Sequence, residues 1–288
     1  IIHPAIDPLS PKNRDFSPRK LQGILCNAGL ATEIAPVLHP PYKRPALRLA
    51  PDGSWLPANA DDEEIGLLFR PIVTQISRWD RLKGWGPLLE AFVLLKQRAL
   101  HRSFPDLHRR RLEIMRLVLA GPDPGSVSDD PEGKEVLDEL VARCLQLSPE
   151  LQRDIALLKL PMVSPAENAY MVNAIQRCST VVVQNSIEEG FGLTVTEAMW
   201  KRVAVLGSSA TGIRHQIRQG VDGVRISDPN NHEELADALG ELLSDANRRA
   251  HFAGNAQRRV YDEFLVFAQV RGWLRTLVSV ARGNGAAA

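Results

Sequence analysis

The chain has 288 residues, 35 Lys plus Arg against 34 Asp plus Glu, and a formal net charge of +1. With 44% hydrophobic and 24% charged residues it has the balance of a globular protein with a large core, which excludes a disordered chain. A charge so near zero argues against a general nucleic-acid or membrane-surface binder.

Residues 1–6 are a short apolar run that stops at Asp7-Pro8, a turn signal. A helix is predicted over 18–26. From 36 to 59 prolines recur (Pro36, Pro40, Pro41, Pro45, Pro51, Pro57), with a Pro-Asp-Gly turn at 51–53. Proline removes a backbone donor and fixes φ, so this stretch reads as a long loop or linker. Residues 61–64 read as a solvated acidic patch. After residue 70 short apolar runs alternate with helical spacing. Strands are predicted over 72–76, 117–120, 155–160, 180–183, 203–206 and 223–226. Helices are predicted over 88–100, 133–145, 166–176, 193–200, 212–218, 233–243 and 246–264. An amphipathic stretch follows, and 283–288 read as a frayed tail. This alternation implies βαβ units with right-handed crossovers, hence an α/β fold with a doubly wound, Rossmann-like parallel sheet. Ligands of such sheets bind at the carboxyl ends of the strands. The loops after Ile76, Ala120, Leu160, Val183, Leu206 and Ile226 are therefore the ones to inspect.

No apolar run is long enough to cross a bilayer, because the most apolar late segment, 264–280, is interrupted by Arg271 and Arg275. No signal peptide is visible. Cys26, Cys144 and Cys178 are far apart and form no C-x-x-C, which fits reduced thiols in the cytoplasm. A G-x-G-x-x-G after the first strand, a P-loop and a G-x-S-x-G elbow are all absent, which disfavours a nicotinamide dehydrogenase, a P-loop NTPase and an α/β-hydrolase. The histidines (His3, His39, His101, His108, His215, His232, His251) have no metal-ligand spacing, so no metal site is expected. Of these, His215 follows the loop after the fifth strand, where it could face a cleft. Trp79, Trp85, Trp200 and Trp273 read as packing residues.

The sharpest signal is the loop after the fourth strand, Glu188-Glu189-Gly190-Phe191-Gly192-Leu193-Thr194-Val195-Thr196-Glu197. Its glycines let backbone approach a ligand. The free amides near Leu193 and Thr194 open a helix, a ready site for a phosphate. Glu197 lies in the first turns, and helical side chains lean toward the N-terminus, so its carboxylate can reach back to the same ligand and accept from sugar hydroxyls. Taken alone, Glu197 could equally be an acid that complements the helix dipole. The loop after the first strand carries Arg78 and Lys83. Arginine holds phosphate oxygens bidentately and lysine acts as a point charge, so the two suit a diphosphate. A solvated charged turn is the plainer reading of this spacing, and its placement before the acidic-glycine loop in a parallel sheet favours the diphosphate.

Arg78-x-x-x-x-Lys83 together with Glu189-x7-Glu197 resembles the donor signature of retaining glycosyltransferases of family 4, which have the GT-B fold. The strings over 73–83 (VTQISRWDRLK), 160–173 (LPMVSPAENAYMVN) and 190–201 (GFGLTVTEAMWK), with Ile6-Asp7-Pro8-Leu9-Ser10, are similar to the trehalose synthase branch. The resemblance covers about residues 1–280. It implies that Arg78 and Lys83 hold the donor diphosphate and that Glu189 accepts from the donor sugar. It implies that the loop over Gly190, Phe191, Gly192, Leu193 and Thr194 touches the sugar and distal phosphate through backbone amides, and that Glu197 binds the ribose. The turn at Leu160 and Met162 would flank the base. No cofactor or metal is implied; a nucleotide sugar such as UDP-glucose or ADP-glucose is a substrate, and a sugar acceptor, glucose to give trehalose, is the other partner. Neither a nucleic acid nor a membrane is expected as a partner.

The resemblance also implies a division of the chain. Residues 1–70 would lead from an N-terminal acceptor domain that this chain does not contain, 71–265 would bind the donor, and 266–288 would be a C-terminal helix and tail. The first residue is Ile1 rather than Met, in keeping with a piece of a longer protein. The final helices could pack on that domain or on a second subunit, leaving a homodimer open. A chain without the acceptor domain need not turn over by itself. Two other readings stand beside the enzyme: a non-catalytic nucleotide-sugar-binding or regulatory fragment, and a trehalose phosphorylase. Family members usually carry Gly-Gly where Thr211-Gly212 stands here, and Gly-x-Pro where Arg202-Val203-Ala204 stands.

Overall fold

The computed structural model describes residues 2–31, 42–57, 70–101, 105–126 and 131–284. Its strands are β1 (Leu47–Leu49), β2 (Trp55–Pro57), β3 (Ile72–Ile76), β4 (Arg116–Pro122), β5 (Ile155–Leu160), β6 (Val181–Gln184), β7 (Ala204–Gly207) and β8 (Val224–Arg225). They form one sheet in the order β2-β1-β5-β4-β3-β6-β7-β8. From β5 to β8 every neighbouring pair is parallel. The central strands bury both faces, as their predominantly apolar runs require. Alternate residues go to opposite sides. Val73, Leu117, Leu119, Val181, Val183 and Leu206 enter one core, while Ile72, Val118, Ala120, Val182 and Val205 enter the cores on the other face.

The helices are α1 (Pro18–Asn27), α2 (Trp85–His101), α3 (Asp106–Ile114), α4 (Pro131–Leu145), α5 (Pro149–Arg153), α6 (Pro165–Cys178), α7 (Leu193–Trp200), α8 (Thr211–Gln216), α9 (His232–Ser244), α10 (Ala246–Arg259) and α11 (Val266–Asn284). Several start where the sequence supplies a cap. Ser17, Ser164, Asn231 and Asp245 each accept from a first-turn amide of the helix they precede, and Pro18 and Pro165 occupy first-turn positions. Among the described residues no helix is long and apolar enough to cross a membrane. The two ends of the chain meet. Ile6 donates its amide to Phe264 O at 2.9 Å and accepts from the Val266 amide at 3.0 Å.

The structure departs from the sequence reading in several places. Within the proline-rich stretch, β1 and β2 form an antiparallel pair, and β1 adds antiparallel to β5 at the sheet edge. The Pro-Asp-Gly turn joins them, with Gly53 at φ +85. Edge strands tolerate proline because one side needs no donor, and three-residue strands give no readable alternation. Residues 36–41 and 58–64 of the proline-rich and acidic readings lie outside the described residues. Helix α3 was not expected, because four of its nine residues are Arg or His and mask the period. The stretch 246–264 is not one helix: α10 ends at Arg259, and a π-helical turn over Val260–Phe264 carries the chain into α11. Trp273 is exposed on α11, not packed; Trp79 and Trp85 are buried as expected, with ring centroids 4.7 Å apart.

Candidate functional site

The strand order reverses between β3 and β6. Chain order runs outward from β3 through β4 to β5 on one side, and from β6 through β7 to β8 on the other. This is the switch point at which a doubly wound sheet opens a crevice at its carboxyl edge. The two loops that leave β3 and β6 therefore flank one crevice, and they carry the residues singled out from the sequence.

In the loop after β3, Asp80 caps a single 3-10 turn, Arg81–Lys83, accepting from the Leu82 amide at 2.8 Å. Gly84 ends the turn at φ +58, where a Cβ would stand 2.2 Å from Asn185 O. Buried amides tie this turn to the other loop. Gln75 Nε2 donates to Lys83 O at 2.8 Å, and Gln75 Oε1 accepts from the Asn185 amide at 2.9 Å. Asn185 Nδ2 donates to Gly84 O at 3.1 Å. The result is a fixed approach of two side chains. Lys83 Nζ donates to Glu189 Oε2 at 2.7 Å, with the side chains only 12% and 15% exposed. Ser186 Oγ donates to the same oxygen at 3.2 Å and is held in turn by Gln184 Nε2 at 2.9 Å.

Beyond Glu189 the glycine loop turns into α7. Gly192 sits at φ +85, which glycine adopts without strain. The Gly212 amide donates to Glu189 O at 2.9 Å, and a Cβ on Gly212 would lie 2.5 Å from Phe191 Cα. Of the Gly-Gly pair expected from the resemblance, the glycine retained is the one the packing demands. Gln216 Nε2 donates to Phe191 O and, at 3.2 Å, to Gly192 O, and the Thr196 hydroxyl donates to Gln216 Oε1. The carbonyls of the loop are thus spoken for on the α8 side. The first-turn amides of α7 at Leu193 and Thr194 have no acceptor within the helix. Nothing stands within 4 Å of where a Gly190 Cβ would be. A cation, a positive helix end and open space at a glycine make a pocket for an anion bearing hydroxyls.

Glu197 is buried in α7, with Lys12 Nζ 3.6 Å from its Oε1. One turn on, Lys201 Nζ donates to Gln176 Oε1 at 2.7 Å, Glu197 O at 3.1 Å and Asn13 Oδ1 at 3.2 Å. Burial pushes the Lys201 ammonium down to about 7, against the pull of the Glu197 carboxylate. Two expected residues stand apart. The Arg78 side chain is 74% exposed and pairs with Asp80 at 3.7 Å, rather than with Glu189. Met162 is 38% exposed in the loop after β5, with β4 and β3 between β5 and β6; Leu160 is buried. His215 approaches the glycine loop through His3. Its ring centroid is 6.0 Å from that of His3, which stacks on Phe191 at 5.9 Å. Burial and His215 hold the His3 pKa below its ordinary value.

Sequence reasoning missed Gln75, Gln184, Ser186, Gln216 and Lys12. The first three had a signal: polar residues inside or directly after apolar strand runs, where a buried amide needs partners. Gln216 and Lys12 had none, because only the fold brings them to the loop.

The family described as glycosyl transferases group 1 matches residues 61–259. The chain is 31% identical over 211 residues to the trehalose synthase of Pyrococcus horikoshii, covering 73% of this chain and 44% of that protein. It is 28% identical over 217 residues to the trehalose phosphorylase of Pleurotus pulmonarius, covering 75% and 28% respectively. The structure of Anabaena HepE in complex with UDP and glucose superposes with a TM-score of 0.55 at 22% identity, covering 75% of this chain and 50% of that one. The chain thus spans less than half the length of these two curated relatives, and its fold is that of GT-B glycosyltransferases. The chain belongs to the glycosyl transferases group 1 family.

Proposed function

We propose that this chain is the donor-binding part of a retaining glycosyltransferase that moves glucose from a nucleoside-diphosphate glucose to a sugar acceptor, glucose to give trehalose. The observation that carries the reading is the Lys83–Glu189 contact at the N-terminus of α7, in the crevice at the switch point. In the proposed roles, Lys83 and the amides of Leu193 and Thr194 stabilise the charge that develops on the departing diphosphate. Arg78, free to swing from its exposed position, adds a second cation to it. Glu189 accepts from the hydroxyls of the transferred sugar, Phe191 and Gly192 present backbone to it, and Glu197 takes the ribose. The acceptor hydroxyl attacks from the face that the diphosphate leaves, so the anomeric configuration is kept. Met162, two strands away across the sheet, takes the base end of a long donor. The free cysteines fit a reducing, cytoplasmic setting.

The test is glucosyl transfer by the full-length enzyme, with trehalose as the product assayed. Lys83→Ala should lower the rate by about 10²–10³, the scale set by losing one donor to a developing anion. Near-normal transfer would contradict the role. The phosphorylase relative supports a second reading, in which phosphate and a glucosyl unit suffice. It predicts trehalose cleavage by inorganic phosphate and indifference to the nucleotide base; strict dependence on one base sinks it.

A further inference from the structure

Residues 7–14 precede the site loops by more than sixty positions, yet buried polar side chains fasten them to α6 and α7. Asn173 Nδ2 donates to the carbonyls of Pro11 and Arg14, both at 2.9 Å. Arg177 Nη2 donates to the carbonyls of Asn13 and Arg14 at 3.1 and 3.2 Å. Lys201 Nζ holds Asn13 Oδ1, and Asn13 Nδ2 donates back to Asp7 O at 3.0 Å. Asn13, Asn173 and Lys201 are all buried. Burying so many polar groups is tolerable only when each is satisfied, and a satisfied network fixes one geometry. A segment that merely connected two elements would not need it.

What the network fixes is Lys12, which sits between two anchored residues. Its ammonium lies 3.6 Å from Glu197 Oε1, and its side chain is 46% exposed where that of Glu197 is 5% exposed. A lone carboxylate at this place would repel a phosphate bound at the start of α7. An ammonium beside it cancels that repulsion and adds a donor. The pair then offers an acceptor for hydroxyls and a cation for anionic oxygen side by side, which is the chemistry of a nucleotide and not of an uncharged sugar.

Resting on the donor-site reading above, we propose that Lys12 is a donor-binding residue. With Glu197 it clamps the ribose–phosphate half of a nucleoside-diphosphate sugar: Glu197 accepts from ribose hydroxyls, and Lys12 donates to an oxygen of the ribose or of the phosphate next to it.

Calorimetric titration of the 288-residue chain with UDP-glucose and with ADP-glucose tests this. Lys12→Met, with its Tm unchanged, should weaken the tighter donor by roughly tenfold or more, and Lys12→Arg should recover most of the loss. The loss should persist on a Glu197→Gln background, where the ion pair is gone. Wild-type affinity in Lys12→Met overturns the assignment. So does a loss that vanishes in the Glu197→Gln background, because Lys12 would then act only by holding Glu197. Failure of the wild-type chain to bind either donor overturns instead the donor-site reading beneath it.

Discussion

Gly190 and Gly212 lie in touching segments, but a methyl group would meet very different surroundings at each. At Gly212 it would run into Phe191 and Gly190 backbone at 2.5–2.7 Å. Gly212→Ala should therefore displace the loop and cost about 1–3 kcal/mol of stability, read by denaturant unfolding. At Gly190 it would meet nothing within 4 Å. Gly190→Ala should leave Tm unchanged and still weaken donor binding, because the open space is the ligand's; unchanged affinity would place the ligand elsewhere. Arg202 poses a third case. It holds φ +57, the only non-glycine positive φ among the described residues, at the position where the resemblance leads one to expect glycine. Arg202→Gly should stabilise the protein by up to about 1 kcal/mol, the left-handed cost less the added freedom of the unfolded chain. A lower midpoint in urea would mean that the Arg202 side chain contributes more than its backbone costs.

At the scale of elements, legibility followed burial and length. The strands β3 to β7 are predominantly apolar runs, and the sequence reading placed each within a few residues. Helix α7 was read to the residue because a glycine pair precedes it and Trp200 ends its apolar run. The edge strands β1 and β2 were not legible, since their three-residue lengths carry no period and their prolines signal a loop. The anchoring of α7 was not legible either, because Lys201 draws its partners from α6 and from residues 7–14. Lys201 makes a pH prediction. Its folded pKa is about 7, lowered by burial, against roughly 10.4 in the unfolded chain. Between those values the unfolded state binds the extra proton, so stability rises with pH across that window and is lowest at its acid end. Lys96 is lowered to about 7 as well, also chiefly by burial, and adds to the same slope. Tm should climb from pH 7 to 10 in the wild type and climb less in Lys201→Met; equal slopes would remove Lys201 from the account.

For the whole molecule, the fold class was legible and the strand order was not. Alternating elements announce a doubly wound sheet, but only the pairing of β3 with β6 puts the Lys83 loop against the Glu189 loop. That pairing sets the two motifs, read together in the sequence, side by side in one crevice. The far end of the chain is the opposite case. Trp273, Leu274, Leu277 and Val280 on α11 are more than half exposed. Removing residues 270–288 should shift Tm by no more than about 4 °C, because few buried contacts are lost while Ile6 keeps its bonds to Phe264 and Val266. A large drop would show that α11 supports the core. The central claim is that the crevice between β3 and β6 binds a nucleoside-diphosphate sugar. Calorimetric titration of the wild-type chain and of Lys83→Met with UDP-glucose and ADP-glucose tests it most directly. Saturable one-to-one binding to the wild type, weakened at least about tenfold in Lys83→Met, is the predicted result. Equal affinity in the two proteins would contradict it.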